Sequence, residues 1–406
     1  MSSDSSRNPD PRDPRVMTGK VWQQFCETLQ RAGRLALGEG VPDSPLDRAE
    51  GLRYLTRFLA AGNVQCIEHA DPDYPEFGRM MDHTMAWGLD CPDCLYLYAP
   101  VRGDASYRIW GTRGSANHLD MQVNYGHFSD GDIASWGTIS SLSGFELEAD
   151  SEGRFELVLS PDERKGNWLR IEPGAEFVLI RQYFNDWENE RPADLLIERI
   201  GAQYPVPPIR TDQMADRLER LCRWLERGGA LWETMSKALH DLPPNTLNVT
   251  LPLDGDVRAG LRGQAYGMGN FRCAPDEAVI VEFEPPRCHH WSFSLANWYW
   301  ESLDFASRQS SLNGHQAQLD ESGVFHGVIA HRDPGVPNWL DTGGHQHGTV
   351  AARFLLAESA TEPKLRSVKF ADVLAELPAD MPRIDPATRT EIIERRRHAV
   401  WRRYRR

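Results

Sequence analysis

A chain of 406 residues with a formal charge of −14 does not suit general nucleic-acid binding, which needs a basic surface to neutralise phosphates. Its 40% apolar and 26% charged residues are the balance of a soluble protein of about two or three domains. No apolar run approaches the roughly 20 residues of a membrane-spanning helix, so neither nucleic acid nor membrane is expected as a partner.

Met1 to Arg15 are polar and lack the apolar core of a signal peptide, so 1–15 is expected to be a disordered leader in a cytoplasmic protein. Trp22, Phe25, Cys26 and Leu29 follow at i, i+3, i+4 and i+7, one face of a helix. Ser44, Pro45 and Asp47 predict a second helix start. The hydroxyl caps, proline suits the first turn, and the acid faces the positive end of the dipole. Leu52, Leu55 and Leu59 continue it as a stripe, so 16–65 reads as a helical N-terminal segment.

The texture changes after Asp71-Pro72-Asp73-Tyr74-Pro75. Cys91 and Cys94 are the one close pair among seven cysteines. With no second pair to complete a zinc ribbon, they read as turn residues. Short alternating runs such as Leu95-Tyr96-Leu97-Tyr98, Tyr107-Arg108-Ile109-Trp110 and Phe177-Val178-Leu179-Ile180 predict an antiparallel β-sandwich over 66–204. Met214, Leu218, Leu221, Cys222 and Leu225 share a helix face within a helical linker at 205–245. A second β-sandwich unit is expected over 246–372, and 373–406 as a basic C-terminal helix and tail. From residue 382 onward nine arginines face three acids, which leaves the tail at +6 and the remainder at −20. A tail of this kind is expected to lie against an acidic surface of its own chain or of a second copy, giving a homo-oligomer.

The two β regions are related. Ser140-Ser141-Leu142-x-Gly144 recurs as Ser310-Ser311-Leu312-x-Gly314, and at that shift of 170 residues 8 of the 20 positions from 140 to 159 are identical. One inserted residue later, Asn167-Trp168-Leu169 meets Asn338-Trp339-Leu340. The fold class expected is therefore mainly β with helical segments (α+β), built as two sandwich units related by internal duplication.

Asp104-x-x-Tyr107-Arg108-Ile109-x-Gly111, Arg308-Gln309-Ser310-Ser311-Leu312-Asn313 and the two Asn-Trp-Leu segments resemble the bacterial domain-of-unknown-function family numbered 1214. Tyr183-Phe184-Asn185-Asp186-Trp187 and Gly263-Gln264-Ala265-Tyr266-Gly267 resemble its long, two-copy members. The resemblance spans roughly residues 70 to 370. It implies jelly-roll-like units and no established reaction, cofactor or catalytic residue.

Positions shared by both copies are most simply explained by fold: an Asn satisfying turn groups and a Trp filling the core. Ligand contact by Asn338 and Trp339 is the alternative. Arg181 and Arg353 also correspond, and each is expected to pair with an acid of its own unit, Asp162 or Asp333. Seven of thirteen histidines fall between 289 and 347. Where the first copy has Ser160 the second has His331, and His345 and His347 face a Pro-Gly-Ala stretch. His331, Asp333 and Arg353 are thus catalytic candidates. His345 and His347, with His290 as a further ligand, are candidates for a divalent metal, against a metal-free cluster or ordinary surface histidines. Trp298, Tyr299 and Trp300 cannot all face one side of a strand, so at least one points away from its own core. Trp298 and Trp300 are candidates to line a pocket for a ring-bearing ligand, with packing under the helical linker as the alternative. Two functional readings follow. One is an enzyme acting on a neutral, carbohydrate-like or polycyclic small molecule through the second unit's His/Asp cluster. The alternative is a non-catalytic ligand-binding or assembly protein.

Overall fold

The computed structural model describes residues 12–250, 263–359 and 361–405. It opens with helices α1 (Pro14–Met17), α2 (Lys20–Ala32), α3 (Arg34–Leu37) and α4 (Pro45–Asn63). Ser44 caps α4 as expected, its hydroxyl accepting from the Asp47 amide at 3.1 Å. The buried faces differ from the leucine stripes. In α2, Val21, Phe25, Thr28 and Ala32 are buried, whereas Trp22 and Leu29 are exposed. In α4, Gly51, Tyr54 and Phe58 are buried and Leu52 is exposed. In α4 ring stacking decides this: Tyr54 stacks on Tyr299 and Phe58 on Trp224. That leaves Leu52 exposed and Leu55 and Leu59 half-buried at the margin, Leu59 still packed on the core. Most of the expected leader, residues 1–11, lies outside the described residues. Its end does not behave as a leader, because Arg15 bonds Asp216 and Glu219.

The first β-unit holds β1 (Gly78–Arg79), β2 (Cys94–Pro100), β3 (Tyr107–Thr112), β4 (His118–Tyr125), β5 (Gly137–Ser143), β6 (Arg154–Ser160), β7 (Trp168–Arg170), β8 (Ala175–Tyr183) and β9 (Asp194–Arg199). These form a five-stranded sheet, β1-β2-β8-β4-β5, and a four-stranded sheet, β7-β6-β3-β9. Alternation puts Met121, Val123, Val178 and Ile180 of one sheet against Ile109, Leu157 and Leu159 of the other.

Helices α5 (Thr211–Arg223) and α6 (Gly229–His240) follow. They are more than a linker, since α5 packs on α2 and Trp224 packs on α4, making one helical layer. The second unit holds β10 (Leu247–Thr250), β11 (Gln264–Arg272), β12 (Glu277–Phe283), β13 (His290–Ala296), β14 (Ser311–Asn313), β15 (Phe325–Ala330), β16 (Trp339–Asp341), β17 (His347–Leu355) and β18 (Lys364–Lys369). Its sheets run β10-β11-β17-β13-β14 and β16-β15-β12-β18, the order of the first unit strand for strand. Both units carry one parallel pair, in which Trp168 stands opposite Val158 and Trp339 opposite Val328. Trp168 Nε1 donates to the Ser160 carbonyl at 3.2 Å and Trp339 Nε1 to that of Ala330 at 3.0 Å. Trp339 is buried; Trp168 is only half-buried.

The chain ends in α7 (Val373–Glu376) and the longer α8 (Pro386–Tyr404). Arg389, Arg396 and Arg403 recur every seven residues along α8, and all three are buried. They meet few acids, contrary to the expectation of an acidic surface. Arg389 pairs with Asp333 at 2.8 Å and donates to Gln309. Arg396 donates to Ser311 and to the Phe305 carbonyl. Arg403 donates to the Pro92 carbonyl and lies over the Phe184 ring. The helix thus clasps both units of its own chain, and its buried arginines are not free for a second copy. No helix among the described residues is long and apolar enough to cross a membrane.

Candidate functional site

Strand alternation that fills each sandwich leaves a second set of side chains on the outer faces of the five-stranded sheets. On β8 these are Phe177, Leu179, Arg181 and Tyr183; on β17 they are Ala351, Arg353 and Leu355. The two faces share one apolar core with Trp87, Phe128, Trp224, Trp232 and Trp300. Tyr183 on β8 donates its hydroxyl to Gln264 on β11 at 2.8 Å, tying the units together.

The two arginines occupy matching places with different partners. Arg181 stands opposite Tyr96 on β2 and Asp120 on β4; Arg353 stands opposite Tyr266 on β11 and Ser292 on β13. Arg181 donates to Gln122 at 2.6 Å and lies 3.8 Å from the Asp120 carboxylate. Arg353 reaches the Ser294 hydroxyl only at 3.5 Å and donates to the Leu89 carbonyl. Among the described residues no carboxylate forms an ion pair with it. The expected pairings with Asp162 and Asp333 do not form, because both arginines face the opposite side of their sheets from those turns.

Between these faces lies a cavity of about 500 Å³, a size suited to a small organic ligand. Met80, Trp87, Phe128, Leu179, Trp232 and Met268 are among its apolar walls, and Arg181, Arg353 and the phenols of Tyr96, Tyr183 and Tyr266 supply polar groups. Burial pushes the Tyr96 and Tyr183 hydroxyls well above their ordinary range, so both remain neutral donors at neutral pH. Two lining residues are strained: Leu89 has φ 56° and Trp300 φ 58°. The Leu89 amide donates to the Trp300 carbonyl at 2.7 Å while its own carbonyl takes Arg353. Such backbone costs on the order of 1–3 kcal/mol per residue, and it tends to persist at functional sites. No His, Cys, Asp or Glu lines the cavity among the described residues.

The predicted catalytic trio is not assembled. His331 bonds the Cys273 carbonyl at 2.8 Å and the Thr342 hydroxyl; Asp333 is held by Arg389 of α8; Arg353 faces the inter-unit cavity. Asn338 and Trp339 do not reach a ligand site. Asn338 is fully buried and bonds the Gln318 amide and the Gln318 and His326 carbonyls, while Trp339 is covered by Arg389. The proposed metal set also separates. His290 bonds Asn185 at the far end of the sheet, whereas His345 and His347 both turn to Asp47, at 3.2 and 3.8 Å. Among the described residues no group of three or more His, Cys, Asp or Glu is placed to hold a metal ion.

Of His345, His347 and Asp47, His347 alone reaches a second, open pocket of about 570 Å³, lined also by His240, Trp298, Arg272 and Lys237, while Asp47 and His345 are buried behind it. His240 stacks on Trp298 at 4.6 Å and meets His347 edge-on. Burial drives the His240 pKa down to about 4 and lowers that of His347. Burial acts to raise the Asp47 pKa, but hydrogen bonds from His345 and Ser44 outweigh it and hold the carboxyl below its usual range. The tryptophan candidates therefore divide, Trp298 to this pocket and Trp300 to the inter-unit cavity. Sequence reasoning missed Asp47, Tyr96, Tyr266 and Leu89. The two tyrosines carried a usable signal, since each precedes its unit's arginine at almost the same spacing.

Neither a family model nor a curated protein matches the chain. Among solved structures, the chain is similar to an uncharacterised protein from Burkholderia cenocepacia. The identity is 34% and the TM-score 0.83, over 88% of this chain and 99% of that one. A protein from Vibrio parahaemolyticus is 13% identical with a TM-score of 0.45, over 84% of this chain and 100% of that one.

Proposed function

The chain belongs to one family with the Burkholderia cenocepacia protein, and from that premise we propose that it is a non-catalytic binding protein for a small, largely apolar molecule held between its two β-units. The observation that carries this reading is the inter-unit cavity of about 500 Å³ with aromatic and methionine walls. The absence of His, Cys, Asp and Glu from its described lining favours binding over acid–base or nucleophilic chemistry. Shared strand order and the matched tryptophan bonds support an origin of the two units by duplication of one sequence. The motifs quoted above support placing the family with the bacterial family numbered 1214. All seven cysteines are unpaired, which supports a reducing, cytoplasmic setting.

The test is a titration with the neutral fluorophore N-phenyl-1-naphthylamine, followed by its own emission and by quenching of the protein's tryptophans. Saturable binding to the wild type, lost in a Met268→Trp variant that fills the cavity, is the expected result. Unchanged binding in that variant would move the site elsewhere, and no binding at all would remove the proposal.

A further inference from the structure

Resting on the cavity reading, we infer that the ligand carries an anionic head, a carboxylate or comparable oxyanion on an apolar body, and that Arg353 receives it. The two units differ at one position. In the first, the outward arginine of β8 has a carboxylate neighbour, Asp120, and a close amide acceptor, Gln122. In the second, the same two places are Ser292 and Ser294. Arg353 is buried and keeps its charge, as guanidinium groups do inside proteins. Among the described residues its hydrogen-bond partners are one strained carbonyl and a distant hydroxyl. The buried Asp90 carboxyl, which its charge reaches, is pushed by burial towards the neutral form and is taken up by Ser302. A buried cation without a counter-charge is costly unless an anion completes the site.

Two further observations agree in sign. The Ser292 hydroxyl, across the strand from Arg353, is buried with no hydrogen-bond partner. Among the described residues that line the cavity, the buried polar side-chain atoms lacking a partner are Trp136 Nε1, Trp232 Nε1, Trp300 Nε1 and Gln264 Nε2, and each is a donor. An environment short of acceptors, with a cation that has no ion-pair partner among the described residues, favours an acceptor-rich, negatively charged group. Arg181, already balanced by Asp120, has no such need. The cavity is thus polarised towards the second unit, and a molecule with one anionic end would lie with that end at β17 and its apolar body towards Trp87 and Phe128.

The experiment compares dodecanoate with dodecan-1-ol, below their aggregation limits, by isothermal titration and tryptophan fluorescence on the full chain. The wild type should bind dodecanoate at least tenfold more tightly than the alcohol. Arg353→Gln should remove that preference while alcohol binding, which also reports an intact cavity, persists. Because loss of Arg353 frees the Leu89 carbonyl and can disturb folding, a second variant retains it. Ser292→Asp supplies the carboxylate that the first unit has at Asp120 and should abolish the preference with Arg353 in place. Arg181→Gln should leave the preference standing. Equal affinity of the wild type for acid and alcohol overturns the charge assignment and leaves the cavity reading intact. Retention of the preference in both Arg353→Gln and Ser292→Asp overturns the role of Arg353. Failure of both probes to bind takes down the cavity reading and this inference with it.

Discussion

Asn167 and Asn338 show what one residue contributes when its surroundings change and its bonds do not. Each side chain accepts from a backbone amide, Glu148 or Gln318, and donates to two carbonyls, Glu148 and Glu156 or Gln318 and His326. Asn338 is fully buried, whereas Asn167 retains solvent contact. Removing a buried partner strands the groups it served, at about 1–3 kcal/mol, while water replaces a partner near the surface. Asn338→Ala should therefore destabilise by about 3 kcal/mol and Asn167→Ala by about 1 kcal/mol, read from urea midpoints at constant slope. Equal losses would mean that burial is not what separates the copies.

At the scale of the element, α8 turns a basic segment into a clasp. Its buried face is a row of arginines at heptad spacing that donate to carbonyls and side-chain acceptors on the two β-units. Arg389→Ala would leave the Val336 carbonyl, Gln309 Oε1 and Asp333 without their donor and should cost about 3 kcal/mol, because the lost partner is buried. Arg395, exposed and 3.6 Å from Glu188, should cost less than about 1 kcal/mol when replaced by alanine. Thermal or urea denaturation of the two variants checks the contrast, and similar losses would deny the clasp. The helix itself was legible from sequence as a basic C-terminal segment, and the strands from their alternation, because both are local signals. The cavity was not. Leu89 and Arg353 meet across 264 residues of chain, and nothing near either announces the other. The histidine reading failed for a related reason. A position that gains a titratable side chain in one copy shows that the chemistry is available, but not where the ring points, and His331 points at a backbone carbonyl.

At the scale of the whole molecule, two β-units and a helical layer close around one apolar core, and several ionisable groups are trapped where they prefer to be neutral. Burial lowers the pKa of His118, His240 and His290 to about 4 each. It raises that of Glu301 to about 7, against the opposing pull of Arg57 and Asn297. The histidines lie below their ordinary 6.5, so the unfolded chain binds more protons than the folded one between about 4 and 6.5. Their contribution to stability is present above that window and lost as pH falls through it. Glu301 works the other way. Its folded pKa lies above the ordinary 4.5, so its contribution is present below that value and lost as pH rises through about 7. Where the windows overlap, the lowered histidines, which His83, His127 and His347 join, outnumber the raised carboxyls, Glu301 and the buried Asp90, and each group contributes up to about 1.4 kcal/mol per pH unit. Stability should therefore fall on acidification from pH 6.5 towards 4.5. His240→Gln should make that fall shallower, since its proton uptake is removed. Glu301→Gln should make it steeper, since one of the two opposing carboxyls is gone. Urea midpoints measured across this range test both signs at once. A steeper fall in His240→Gln, or a shallower one in Glu301→Gln, would show that these buried groups do not set the acid response of the fold.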